Sequence, residues 1–86
     1  MTLYFVNYWD VWGNEADGWD VNDVSRHKIE GSEPDTAADV LSILKANDLV
    51  YADVTLADVK IELDSYGAEI TEKANGKPFG RIEWEN

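Results

Sequence analysis

The side chains able to do chemistry in this chain are nearly all carboxylates: eighteen Asp and Glu stand against seven Lys and Arg and one histidine, with no cysteine. Nucleophilic catalysis finds little support. His27 has Ser25 two residues away on the same strand face, which gives reach without a triad, and neither a GxSxG elbow nor a cluster of oxyanion-hole glycines occurs. A histidine on a strand surface is the simpler reading. Glycosidase-type work needs one acid raised in pKa by an apolar pocket. Asp10, between Trp9 and Trp12, is the best single candidate. The reading adopted instead places it near solvent or beside Arg26 or Lys28.

Metal and phosphate sites fare no better. DGWDVND (17–23) is dense in oxygen ligands, but taking Gly18 as the sixth residue of an EF-hand loop puts Gly13 first and Val24 twelfth. Neither can serve as the acidic ligand required there. Only an irregular set of Glu15, Asp17 and Asp20 remains, and no metal site is assigned. There is no GxGxxG and no Walker loop. GKPFGR (76–81) follows a hairpin signal and does not open a helix. Its Lys77 and Arg81 form one local basic patch, expected to balance Glu83 and Glu85. No catalytic residue, metal or cofactor follows from these patterns, and the expectation is a protein that is not an enzyme.

Binding is better represented. NYWDVWGNEADGWD (7–20) holds three of the four tryptophans among carboxylates, glycines and asparagines. Rings placed beside polar groups can stack on a sugar or hold a partner's apolar anchor. We expect Trp9 and Trp19 in the core, with Tyr4, Tyr8 and Trp12 on a contact surface. The carboxylates supply a second pattern. Same-face residues of a strand repeat about every 6.8 Å, close to the phosphate spacing along a nucleic-acid strand. Glu62 with Asp64, and Glu83 with Glu85, are such pairs, and Asp17, Asp20 and Asp23 add a third acidic stretch. This array could offer a phosphate-like face to a basic, nucleic-acid-binding protein.

The bulk composition agrees with that direction of charge. A net charge of −11 repels nucleic acid and anionic membranes and steers toward basic partners, although acidity also serves solubility. Direct nucleic-acid or membrane binding is therefore not expected. Eighty-six residues with 44% hydrophobic content suit one domain, 1–86, with a radius of gyration of roughly 12 Å. No apolar run approaches a membrane span and no signal peptide is evident, so a cytoplasmic location is expected.

The elements that must position these residues read as an α+β fold in the order β-β-α-β-β-β: an antiparallel sheet with one amphipathic helix on one face. LYFVNYWDVW (3–12) is a strand apolar on both faces, which suggests a central position. WDVNDVSRHKIE (19–30) returns through the turn-forming GNEADG, and Val24 breaks its parity unless a β-bulge falls near Asn22-Asp23. Ser32 or Thr36 can cap a helix, with Asp35 or Asp39 three residues on. Ala37, Val40, Leu41 and Leu44 make its apolar stripe, and Asn47 is a plausible left-handed terminator. Residues 49–58 connect, with Thr55 and Asp58 repeating the cap spacing. VKIELD (59–64), AEITEKA (68–74) and FGRIEWE (79–85) complete the sheet, the last two joined by an Asn75-Gly76 turn. One helix can cover only one sheet face, so the doubly aromatic first strand leaves an exposed ring surface or one covered by a second subunit.

Across NYWDVWGNEADGWDVNDVS (7–25) and GKPFGRIEWE (76–85), the chain resembles a group of small acidic proteins encoded in phage and prophage genomes. The resemblance covers most of the chain and rests on the paired aromatic stretch, the Gly-Asn loop and the terminal Gly-Arg strand. It carries no catalytic site, and it implies an intracellular accessory protein in a bacterial host, acting on host machinery. The leading expectation is a non-enzymatic accessory protein that binds a protein partner, in its sharpest form as a nucleic-acid mimic. The alternatives are a small-ligand module, for a sugar-like ligand, built on Tyr4, Tyr8, Trp12 and Asp10, and a structural homodimer without a ligand.

Overall fold

The computed structural model describes residues 1–85. Thr2–Asn14 form β1 and Gly18–Ile29 return as β2; α1 spans Ala37–Ala46; Val59–Leu63, Gly67–Glu72 and Pro78–Glu85 form β3, β4 and β5. The strands make one antiparallel sheet ordered β2-β1-β5-β4-β3. The fold is α+β. β1, apolar on both faces, lies between two neighbours.

Local chemistry sets the helix. The Thr36 hydroxyl accepts from the Asp39 N–H at 3.2 Å while the Asp39 carboxylate accepts from the Thr36 N–H, also at 3.2 Å. This reciprocal box satisfies two N–H groups that the helix itself leaves unpaired. Asn47 does not adopt the left-handed conformation expected of it; its φ is −101°, and the left-handed residue is Asp48 at 57°. The Asn47 amide is used as a tether instead. It donates to the carbonyls of Glu30 and Ile43 and accepts from the Glu30 N–H, tying the end of α1 to the end of β2.

Val40, Leu41 and Leu44 from α1 pack on Leu3 and Phe5 of β1, Ala68 and Ile70 of β4, and Ile82 and Trp84 of β5. These strand residues alternate along their chains, as a half-buried sheet requires. Gly80 keeps room for Phe5. A Cβ there would lie 2.7 Å from both the Phe5 Cζ and the Val6 carbonyl. Trp84, only 6% exposed, is the tryptophan of the core, and its buried indole N–H has no hydrogen-bond partner.

β1 pairs with β5 only from Thr2 to Asn7, whereas its pairing with β2 runs on to Asn14 and Gly18. Residues 8–25 therefore continue past β5 as a two-stranded ribbon, roughly 20 Å long at the usual rise per residue. Two register shifts mark its root. Asn7 faces Ser25 but Asp10 faces Asp23, adding a residue to β1; Val11 then faces Val21, leaving Asn22 extra in β2. The second shift falls where the broken parity of Val24 asked for a bulge. Bulges increase strand twist, and the ribbon leans so that the Trp19 indole N–H reaches the Asn75 carbonyl of the β4–β5 turn at 3.0 Å.

The ribbon overturns one expectation. Trp9 is 58% exposed and Trp19 only half-buried, so neither joins the core. Both lie beyond the last β1–β5 pair, Asn7 with Gly80. Among the described residues, no helix is long and apolar enough to cross a membrane.

Candidate functional site

The expected contact residues divide between two surfaces. The first is the sheet face opposite α1. Cross-strand register aligns Arg26, Val6, Arg81, Glu69 and Glu62 in one row, and Lys28, Tyr4 and Glu83 in the next. Arg26 lies over the Tyr4 ring at 3.6 Å, with Nη2 2.9 Å from Glu85 and Nε 3.5 Å from Glu83. Arg81 is held by Asp64 at 2.9 Å and by Glu69 at 3.5 Å. Gly67 makes room for this guanidinium, since a Cβ there would stand 2.6 Å from Arg81 Nη2. The Tyr8 hydroxyl donates to Glu69 at 2.6 Å, and Lys60 pairs with Glu62 at 2.7 Å.

Two titrations reflect this arrangement. Burial, reinforced by the hydrogen bond to Glu69, raises the Tyr8 hydroxyl above its ordinary value. Backbone N–H donation from Tyr66, together with Arg81, holds the Asp64 carboxyl below the usual carboxylate range. Four of the acidic residues expected to face a partner, Glu62, Asp64, Glu83 and Glu85, thus already have cations of their own. Arg81 was expected to balance Glu83 and Glu85, but Arg26 on β2 takes that role. The reason is strand order: β1 stands between β2 and β5, and the long Arg26 side chain crosses it over the Tyr4 ring to reach β5.

The second surface is the ribbon. Trp12 is 66% exposed and its indole N–H donates to Asp10 at 2.6 Å, so Asp10 sits beside a wet ring and not in an apolar pocket. Trp9, Val21 and Val24 are also exposed. Asp20 stands opposite Trp12, and Asp23 opposite Asp10. Asp17 closes the turn by accepting from the Asn14 amide while its own N–H donates to Asn14. No ion pair among the described residues involves Asp10, Glu15, Asp17, Asp20 or Asp23. Lys77 approaches the ribbon from the β4–β5 turn, 5.9 Å over the Trp19 ring.

The aromatic candidates therefore do not converge. Tyr4 and Tyr8 share the open sheet face, and Trp12 lies on the ribbon with Trp9. Arg26, Glu69 and Arg81 were not singled out as organisers of the open face. The alternation of Arg81 with Ile82 was legible, but the strand order and register that bring all three beside Tyr4 and Tyr8 were not. His27 is exposed on β2, its ring centroid 6.2 Å from that of Phe5. Among the described residues, no three His, Asp or Glu side chains gather as metal ligands.

Comparison of the chain with protein-family models, curated proteins and solved structures gives no match.

Proposed function

We propose that this chain is a non-enzymatic accessory protein that binds a basic protein partner through the ribbon at 8–25. One observation carries this reading: Trp9 and Trp12 are exposed on a projecting hairpin whose five carboxylates make no ion pair. Large exposed rings supply anchor area at little rotamer cost, and unpaired acids supply steering and selection. The open sheet face has less to offer, because most of its charges are satisfied within the fold.

In the sharper form of this proposal, Asp17, Asp20 and Asp23 stand in for phosphates and the partner is a nucleic-acid-binding protein. The phage or prophage context and the bacterial cytoplasm belong to the same reading. The test compares three immobilised proteins in host lysate at about 0.05 M and 0.5 M salt, since the Debye length shrinks severalfold between them. The proteins are the native chain, a W9A/W12A/D20N/D23N ribbon variant and an E83Q/E85Q face variant. The expected result is a basic protein captured at low salt by the first and third and lost with the second. Release of that protein by added duplex DNA supports mimicry. Capture that survives the ribbon changes defeats the proposal.

A further inference from the structure

A recess lies away from both surfaces. The connector between α1 and β3, residues 48–58, bounds a groove of about 730 Å³. Both ends of the connector are fixed, by Leu49 N–H to the Leu44 carbonyl at 2.9 Å and by Lys73 N–H to the Asp58 carbonyl at 3.0 Å. Half-buried Leu49, Val50, Val54 and Phe79 line the groove and pack against the core, so its floor is apolar and supported. Every charged residue lining it is acidic: Asp48, Asp58 and Glu72. Asp58 is partly engaged, one oxygen accepting from the Thr55 N–H and hydroxyl. Among the described residues, no ion pair involves Asp48 or Glu72. Tyr51, 84% exposed, adds a second ring to the lining.

We infer that this groove binds a small organic cation with an apolar body, of the arylalkylammonium class. The volume falls within the range that takes a drug-sized ligand. An apolar floor under an all-acidic rim favours a ligand with both characters, and Tyr51 and Phe79 put two aromatic rings in the lining, a side-chain type that attracts cations. A bare metal ion would leave the floor unused, and a neutral hydrocarbon would leave the rim unused. The inference rests on the groove alone and is independent of the ribbon.

The test titrates the full chain with 2-phenylethylammonium and with 2-phenylethanol, its uncharged counterpart, by calorimetry and amide NMR. The ammonium is expected to bind at least roughly tenfold more tightly, with shifts confined to residues 48–59, 72 and 79. D48N and E72Q are each expected to weaken it severalfold. Asparagine tolerates the left-handed backbone at position 48, and Glu72 is exposed, so neither change threatens the fold. Equal affinity for the two compounds, or no shift in those amides, overturns the inference. So does a short Phe-Lys peptide that shifts them when the free amine does not, which would make the groove a protein-docking site. Shifts that depend on protein concentration without ligand would assign it to a second copy, and also overturn it.

Discussion

The open sheet face and the ribbon that extends from two of its five strands treat charge in opposite ways. On the face, Glu62, Asp64, Glu69, Glu83 and Glu85 are interleaved with Arg26, Lys28, Lys60 and Arg81, and Tyr4 and Tyr8 are held beneath or beside them. On the ribbon, five carboxylates and two exposed tryptophans occur without a lysine or arginine among residues 8–25. Exposed ion pairs add little stability, with a median near 0–1 kcal/mol. The pairing on the face matters more for what it removes, since a satisfied carboxylate has less to offer a partner. A strongly negative chain thus concentrates its unpaired charge away from the one sheet face it leaves uncovered.

If the body carries the stability and the ribbon does not, substitutions should separate them. The largest effect is expected for Ile82→Ala, which empties a fully buried position and should cost about 3–4 kcal/mol in urea unfolding. Gly67→Ala should follow at about 1–3 kcal/mol. Its Cβ would meet the Ile82 carbonyl at 2.5 Å, and backbone in a paired strand cannot step aside. Trp12→Ala on the ribbon should change stability by only about 0.5 kcal/mol, as an exposed side chain does. A loss comparable to that of Ile82→Ala would erase the distinction between the two regions.

Smaller effects sharpen the contrast. Asp10 and Asp23 oppose one another across the ribbon, and like charges in that position repel. Asp23→Asn keeps the oxygen that accepts from the Val24 N–H and should stabilise the chain by about 0.2–1 kcal/mol in the same assay. On the face, Asp64 gives the opposite sign. Its carboxyl titrates below the unfolded value near 4, so its stabilisation is present above that pH and is lost as pH falls through the folded value. Asp64→Asn retains an acceptor for the Tyr66 and Gly67 N–H groups but removes the charge facing Arg81. Its urea midpoint should therefore fall less than the native one between pH 7 and pH 3.

How much of this was readable depended on the range of the interaction. The Thr36–Asp39 box, the apolar stripe at Val40, Leu41 and Leu44, and the bulge near Asn22 are local, and the pattern of residue types announced them. Trp9 and Trp19 were misplaced because burial on β1 and β2 depends on how far β5 reaches. Pro78 opens that strand, and nothing near Trp9 reveals that the β1–β5 pairing stops at Asn7. The surroundings of the candidate acidic residues were half visible for the same reason. Asp17, Asp20 and Asp23 lie without ion-pair partners near the turn that displays them. Glu83 and Glu85 have their cation 57 or more residues away on β2, beyond any sequence window.

The distribution of the four indoles has a consequence for light. Trp84 is buried in the core, Trp19 is partly covered, and Trp9 and Trp12 are exposed, Trp12 beside the Asp10 carboxylate. The emission of this chain should therefore be red-shifted and open to collisional quenchers even when it is fully folded. Unfolding alters the surroundings of Trp84 most and those of the ribbon pair little. A partner seated on the ribbon would do the reverse, shifting emission to the blue and shielding it from quencher while the fold stays as it is. Folding and occupancy are in this way written into different rings of one chain.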